Sequence, residues 1–357
     1  MKQFFLFFYL FLCVHLFAAV RTVSNSPGLV AQYSTIQAAV DASSGGDTIY
    51  VHGSSIQYAA FTINEKRLTV IGPGWAPMQN YAPFQATVNT ITISGANSSG
   101  TEIQGLEITT SVSVTSSGKP DNLRFIRNHV HASIIISFGT SSFLGYVFEG
   151  NWFDGGGIAA SAGCFYTNFL VKNNIFYASH NLGNISGFYN CVNVLFDHNL
   201  WYGPSSGSSY CFGSTCRGLA ITNNIFIRRD AATNNTVSTF NNNITFNAGI
   251  NNPWAVNGNT GTPGTNIENQ DPQMGGQSAV NSGTNNPLLD FMIAAGPANN
   301  SGTDTKDMGL LYDASGELNW TNSRMSRLPF VYSVNISNPN IPVGGTLNVQ
   351  VEARKNN

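Results

Sequence analysis

Large apolar residues recur through the middle of the chain in a repeat of about two dozen residues, each centred on an asparagine. Successive asparagines are 23, 23, 25 and 25 residues apart: Asn128, Asn151, Asn174, Asn199 and Asn224. The residue three before each asparagine is large and apolar, and so is the residue two after it. Because the intervening segments are short, this pattern favours short strands broken by turns over a helix with a period of 3.6 residues.

The repeat predicts a solenoid in which each unit forms one coil. Equivalent residues of neighbouring coils would lie about 4.8 Å apart, the spacing of paired strands, so the apolar positions would stack as ladders in a core. The five asparagines would form an internal amide ladder, and an asparagine at a turn also tolerates left-handed backbone angles. Gly105 extends the series backwards by 23 residues and Asn243 forwards by 19. We expect roughly ten coils in total.

Both ends of such a stack need a cover, because open strand edges and an open core remain there. At the N-terminal end, Ser34 and Gln37 have the spacing of a capping box. Ile36, Ala39 and Val40 would then share one face of a capping helix.

The C-terminal part of the chain has a different composition. Residues 232–287 are rich in Asn, Gly, Thr and Pro and are expected to form a distorted coil and long loops. The runs Val331–Ile336 and Thr346–Ala353 predict a β hairpin over the last coil, or a small appendage. The predicted solenoid therefore spans residues 20–327, and residues 328–357 form a separate C-terminal β segment.

The first residues have the pattern of an export signal. Lys2 precedes the apolar run Phe4–Phe17, and the small residues Ala18 and Ala19 follow it. The run of 14 residues is too short to favour a membrane span. We expect residues 1–19 to be a signal peptide, and the mature chain to be secreted or held at the cell surface without membrane insertion.

Composition narrows the classes of partner. Only 10% of residues are charged and the net charge is −2, so neither sign dominates and a nucleic-acid partner is not expected. Export permits disulfides. Cys191 and Cys216 each lie eight residues before a repeat asparagine. They could pair or remain buried thiols, and a Cys211–Cys216 bridge is the alternative.

Two groups of motifs carry a family resemblance. The segments Tyr33–Ala42 and Gly46–Val51 resemble the opening of pectin-lyase-like β-helix proteins. A second group of motifs resembles the closing coils of secreted bacterial members: Asn266–Ile267, Asp271–Pro272, Leu289–Ile293, Gly296–Ala298, Ser301–Asp304 and Asp307–Gly309. The resemblance implies an all-β, right-handed parallel β-helix with an N-terminal capping helix and a short C-terminal β segment. It implies no single activity, because the superfamily includes lyases, hydrolases, esterases, adhesins and proteins without known activity.

Glu149, Lys172 and Asp197 occupy the same position in successive repeats and should form one exposed line. The two carboxylates would lie about 9.6 Å apart, at the edge of the separation in inverting glycosidases. Lys172 between them would lower the carboxylate pKa values and hold its own proton, which opposes acid and base roles. With His198 they are the candidate catalytic residues. A surface charge ladder with an exposed turn histidine is the competing interpretation.

Aromatic residues suggest a second site. Tyr177 and Tyr202 lie three residues after their asparagines, where side chains should face outwards, and Trp152 precedes them by one coil. Such an exposed aromatic strip suits carbohydrate rings, whereas the competing interpretation is a pair of partly covered tyrosines that stabilise strand pairing.

A metal site is less well supported. His129 and His131 face the same way, with Asp154 one coil above, but two histidines without a clear third ligand are weak. We therefore predict no metal and no cofactor. Pectate-lyase-like members carry a dense acidic cluster for calcium, which these strands lack, so Ca²⁺ is expected only if the protein is a lyase.

These observations favour a secreted protein that binds extracellular polysaccharide, as a non-catalytic binding or adhesive module. The alternative is a polysaccharide lyase or glycoside hydrolase of the same superfamily.

Overall fold

The computed structural model describes residues 18–75, 84–115, 118–136, 139–177, 184–204, 210–213, 215–312, 320, 330–336 and 343–354. These residues form an all-β parallel solenoid of about eight turns, fewer than the ten expected. The difference arises because the chain after residue 267 turns back along the outside of the solenoid instead of adding coils.

Two twelve-stranded sheets, counted over the described residues, run along the solenoid with parallel neighbours. The first contains β1 (Val20–Val23), β2 (Thr48–Val51), β4 (Thr69–Ile71), β6 (Glu102–Gln104), β8 (Arg124–Ile126), β12 (Val147–Glu149), β15 (Phe165–Lys172), β18 (Asn190–Asp197), β21 (Ala220–Thr222), β24 (Thr239–Asn241) and β26 (Thr260–Gly261), with β11 (Ser142–Leu144) beside β15.

The second sheet branches at its longest strands. It contains β3 (Phe61–Asn64), β5 (Thr87–Ser94), β7 (Glu107–Val114), β9 (His129–Val130), β13 (Trp152–Phe153), β16 (Ile175–Tyr177), β19 (Leu200–Tyr202), β22 (Ile225–Ile227) and β25 (Ile244–Phe246), with β10 (Ser133–Ile136), β14 (Ile158–Ala160) and β17 (Ile185–Ser186) joined through β7. The first half of β7 pairs with β9 and its second half with β10, because each coil bends between the two.

The remaining elements are short. Strands β20 (Cys216–Arg217) and β23 (Asn235–Thr236) pair in parallel, whereas β27 (Phe330–Ile336) and β28 (Val349–Arg354) pair antiparallel. The latter confirm the predicted C-terminal hairpin. The helices with described bounds are Ile36–Ala42 and Gln277–Asn281, and two 3₁₀ turns in the same part of the chain span Ala96–Ser98 and Pro253–Ala255.

The N-terminal helix is confirmed, and its residues Ile36, Ala39 and Val40 are buried. Its predicted capping box is wrong, because Thr35 rather than Ser34 accepts the hydrogen bond from the Ala38 amide, at 3.2 Å. Gln37 instead accepts a hydrogen bond from the amide of Thr62 in β3, at 2.7 Å. That bond ties the helix to the first coils.

The interior consists of stacked like residues, as the repeat predicts. Both apolar columns are fully buried. The rings of Phe153, Phe176, Trp201 and Phe226 follow one another with centroids 4.9 Å apart at each step. This separation matches the spacing of paired strands, so register and ring stacking reinforce each other.

The asparagine ladder extends over seven coils: Asn128, Asn151, Asn174, Asn199, Asn224, Asn243 and Asn266. Each Nδ2 donates to Oδ1 of the next asparagine at 2.9–3.1 Å. Each backbone amide donates to the same oxygen at 2.8–3.0 Å. The second Nδ2 proton reaches a carbonyl on the preceding coil, as in Asn199 to Val171 at 2.8 Å. These buried amides are therefore satisfied by their own stack.

Two details of the predicted register are wrong. Leu106, not Gly105, stands in the asparagine column, because the preceding coil is 22 residues away and Gln104 pairs with Ile126. The left-handed backbone angle belongs to the residue before each member of this column from Leu106 to Asn243, as in Gly105 and His198 with φ of 65° and 52°. The turn is thus made before the ladder residue, whose side chain can then point inwards.

A second core covers the outside of the second sheet. The outward residues of β16, β19 and β22 are apolar and buried: Ile175, Tyr177, Leu200, Tyr202, Ile225 and Ile227. They pack under residues 274–312, which we call the covering segment, through Met274, Val280, Phe291, Ile293, Met308 and Leu310. The solenoid core buries the inner face of these strands and the covering segment buries their outer face. This burial on both faces explains why their sequences are apolar at every position.

Hydrogen bonds fix the covering segment to two of the left-handed residues that precede ladder asparagines. Asn173 Oδ1 accepts from the Leu311 amide at 2.8 Å, and Asn223 Oδ1 accepts from the Thr303 amide at 2.7 Å. The predicted loop region 232–287 is only partly irregular, because the coils continue through Ile267, which forms a parallel bridge with Ile244.

Cys191 and Cys211 are free thiols, so neither of the disulfides considered is formed. Most of the predicted signal peptide, residues 1–17, lies outside the described residues. Within the described part of the chain, no helix is long and apolar enough to cross a membrane.

Replacing one ladder residue should destabilise the whole solenoid. In Asn199→Ala, the amide of Asn174 and its Nδ2 group lose their acceptor inside the core. Unpaired buried donors cost about 1–3 kcal/mol each, so we expect the free energy of unfolding in urea to fall by about 3 kcal/mol. The exposed Asn97→Ala is the control and should change stability by less than about 0.5 kcal/mol. Equal effects of both variants would contradict a structural ladder.

Candidate functional site

The predicted line of charged residues is present, but it is not exposed along its whole length, because Asp197 is buried. Glu149 pairs with Lys172 and Lys172 with Asp197 on neighbouring strands of the first sheet. Lys172 Nζ lies 3.4 Å from Asp197 Oδ2, so these two residues form an ion pair.

The carboxylate of Asp197 is surrounded by hydrogen-bond donors. Its Oδ1 accepts from Thr222 Oγ1 and Asn223 Nδ2, both at 2.8 Å, and lies 2.9 Å from His198 Nδ1. Burial opposes ionisation, but the contacts with His198 and Lys172 outweigh it and lower the pKa of Asp197 to about 2. A carboxylate held ionised in this way is poorly suited to act as a general acid.

His198 is buried, with 1% of its surface exposed, and the expectation of an exposed turn histidine is wrong. Its Nε2 lies 3.5 Å from Asp304 Oδ1 in the covering segment, on the side opposite Asp197. The sequence repeats place His198 on an outer turn but do not show that a later segment returns across it. Its contacts are those of a residue that attaches the covering segment.

The expected exposed aromatic strip is also wrong. Tyr177 and Tyr202 are only 6% and 0% exposed, because the covering segment packs over them. Tyr177 Oη donates to the carbonyl of Gly283 at 3.0 Å, and the Tyr202 ring lies 5.9 Å from Phe291. Only Trp152 remains partly exposed, and its ring stacks on His129 at 3.7 Å. Tyr177 and Tyr202 are therefore inaccessible to a polysaccharide.

Four ionisable side chains meet outside the solenoid at β7, at β9 and at the residues that directly follow β9 and β13. We call them the carboxylate–imidazole cluster: Glu107, His129, His131 and Asp154. Glu107 Oε1 lies 2.9 Å from His131 Nε2 and 3.7 Å from His129 Nδ1. Asp154 faces the other nitrogens, 3.0 Å from His131 Nδ1 and 3.1 Å from His129 Nε2. Each histidine therefore lies between two carboxylates.

The cluster begins where the outward apolar column ends. Along the second sheet, Ile175 is followed in register by Trp152, then His129, then Glu107. Trp75 packs 5.6 Å from Trp152 and 5.6 Å from Trp320, closing the end of the second core. The same outward positions thus change from buried apolar residues to ionisable ones.

The charges within the cluster follow from its geometry. Hydrogen bonds to Asp154 and Glu107 raise the pKa of His131 to about 9, whereas burial lowers the pKa of His129. The hydrogen bond from His131 lowers the pKa of Glu107. Burial opposes ionisation of Asp154, but the hydrogen bonds from both histidines prevail and its pKa falls. At neutral pH the cluster holds two carboxylates, one imidazolium and one neutral imidazole.

Glu107, His129 and His131 each offer one ligand atom, and these atoms lie within 4.8 Å of one another. The repeat register groups the two histidines and Asp154 as neighbours, but it does not place Glu107 with them. The 23-residue spacing to Gly105 sets Glu107 beside the core residue Val130, whereas the true register sets it beside His129. A one-residue error moved this side chain to the wrong face of its strand.

A different flank exposes apolar residues on the first sheet and the loop before β18. The aromatic flank, as we call it, comprises Leu144, Phe165, Tyr189, Val192 and Arg217. Phe165 and Tyr189 are 51% and 40% exposed, and Phe165 lies in register with Asn190, the residue after Tyr189. The Arg217 guanidinium lies 5.7 Å from the centre of the Tyr189 ring. Sequence reasoning missed this flank because its residues lie outside the repeated columns.

No protein-family model matches the chain, and no curated protein matches it either. The resemblance to pectin-lyase-like proteins therefore depends on the motifs quoted above, and the parallel solenoid is consistent with it.

The pairing of Asp197 predicts a loss of stability in acid. Because its pKa is about 2 in the folded chain, against 3.8 unperturbed, its contribution is complete above pH 4 and is lost as the pH falls through 2. The difference in unfolding free energy between wild type and Asp197→Asn should shrink by about 2 kcal/mol between pH 5 and pH 2. Urea denaturation at both pH values measures it. A constant difference would show that Asp197 is not held as a buried anion.

Proposed function

We propose that this protein is an exported, right-handed parallel β-helix of the pectin-lyase-like kind that binds extracellular polysaccharide without cleaving it. The predicted signal peptide supports export, and the opening and closing motifs support the family and the handedness. The parallel solenoid offers a long surface on which successive coils present side chains at regular intervals, which suits a linear polymer.

The aromatic flank is the observation that carries this proposal, and it replaces the buried tyrosines as the binding surface. Phe165 and Tyr189 present exposed rings on neighbouring coils. Sugar rings pack their C–H faces on such rings, as other flat ligands do on aromatic platforms. The guanidinium of Arg217 lies beside the Tyr189 ring, and the exposed amide pair Asn168–Asn193, joined at 3.1 Å, adds polar groups on β15 and β18. Rings flanked by planar donors are typical of oriented carbohydrate binding.

The composition of the flank favours binding over cleavage. Among the described residues that form it, Arg217 is the only one that carries a charge, and hydrolysis or elimination needs a positioned acid and base. The ionisable residues Lys172, Asp197 and His198 are engaged with one another or with the covering segment.

Retention of the purified protein on immobilised acidic and neutral polysaccharides tests the proposal. We expect Phe165→Ala and Tyr189→Ala each to weaken binding by about tenfold or more, because each loses roughly 1.4 kcal/mol of ring contact. Phe84→Ala removes an equally exposed ring at a distance from the flank and should bind as wild type does.

The same samples are monitored for unsaturated products and for reducing ends. Formation of either product would contradict a purely binding role. Absence of retention on every polysaccharide, or equal retention of all variants, would contradict the aromatic flank as the binding surface.

A further inference from the structure

We infer that Glu107, His129 and His131 form a binding site for a single zinc ion, and that Asp154 orients both of its histidines. The ligands lie on β7 and β9 and at the residue that follows β9, and the site is independent of the aromatic flank. The polysaccharide proposal does not require this zinc site, so either proposal can be rejected without affecting the other.

The separations of the ligand atoms fit a tetrahedral ion. Bonds of about 2.0–2.1 Å in a tetrahedral site place ligand atoms about 3.3 Å apart. Glu107 Oε1 lies 2.9 Å from His131 Nε2 and 3.7 Å from His129 Nδ1, on either side of that value. Shifts of about 0.4 Å would bring each of these two pairs to the tetrahedral spacing, and the two histidine nitrogens lie within 4.8 Å of each other.

The groups behind the ligands are arranged as a metal site needs them. A histidine bound to zinc commonly donates its other ring N–H to a carboxylate, which fixes the tautomer and the ring. Asp154 lies 3.1 Å from His129 Nε2 and 3.0 Å from His131 Nδ1, so one carboxylate serves both rings. Thr87 Oγ1 donates to Glu107 Oε2 at 2.6 Å, which leaves Oε1 to face the ion.

Charge favours a divalent cation, and the ligand type favours zinc over the alkaline-earth ions. Zinc binding displaces the proton that His131 carries in the metal-free cluster. Both imidazoles are then neutral, and the two carboxylates carry a charge of about −2 that one divalent cation neutralises in this partly buried setting. Two nitrogen ligands and one oxygen suit zinc, whereas calcium and magnesium prefer oxygen ligands alone.

The surroundings leave one side of the site open. The Trp152 ring lies parallel to that of His129 at 3.7 Å and covers it, whereas the His131 side chain is 34% exposed. Three protein ligands with access from solvent are the arrangement of zinc sites that hold a water molecule at the fourth position.

Zinc binding to the metal-free, full-length mature chain tests the inference directly. After treatment with chelator, calorimetric titration with ZnCl₂ should give one ion per chain, and elemental analysis after desalting should agree. Calcium and magnesium should bind at least 100-fold more weakly. His129→Ala and His131→Ala should each weaken zinc binding by 100-fold or more, and Asp154→Asn by about 10- to 100-fold. The exposed histidine variant His52→Ala is the matched control and should bind as wild type does.

A spectroscopic measurement on the wild type guards against variants that do not fold. Cobalt bound at this site should show the strong visible bands of a tetrahedral ion, and X-ray absorption of the zinc form should show two imidazole ligands at about 2.0–2.1 Å. Absence of stoichiometric zinc, an absorption spectrum without imidazole, or unchanged binding in both histidine variants would overturn the inference. In that case the cluster is a closed ion-pair network.

Discussion

The register between neighbouring coils is the constraint on which the rest of this structure depends. Each ladder asparagine joins its coil to both neighbours through its side chain, and the backbone amide donates to the same column. A slip of one residue would leave these buried amides without partners and would turn every outward side chain inwards. The stacked rings of Phe176, Trp201 and Phe226 require the same register. Hydrogen bonding and apolar packing therefore select a single alignment.

That alignment also determines the outer surface. Equivalent outward positions form continuous columns, so a column of apolar residues becomes a hydrophobic stripe that must be covered. The covering segment meets this requirement over β16, β19 and β22, and it is attached through Asn173 and Asn223. Where the stripe ends at Trp152, the same column continues as His129 and Glu107. The carboxylate–imidazole cluster is thus placed by the boundary of the second core.

The interior of the solenoid could be predicted from the sequence because stacking repeats chemistry at a fixed interval, as in the column from Asn128 to Asn224. The exterior could not, because the covering segment follows the repeats in the chain and returns across them. The repeats alone, without this later segment, predict exposed side chains for Tyr177 and Tyr202. One signal was present: the triplets Ile175–Tyr177 and Leu200–Tyr202 are apolar at every position, which is typical of strands buried on both faces.

The most direct test of the central claim is hydrogen exchange of the asparagine side-chain amides, followed by NMR of the labelled protein. If the ladder is as described, the Nδ2 protons of Asn151, Asn174 and Asn199 should exchange as slowly as the best-protected backbone amides, because they open only when the coils separate. Those of the exposed Asn97 should exchange at the rate of an unstructured peptide. Rapid exchange of the ladder amides, at the rate of Asn97, would contradict the account.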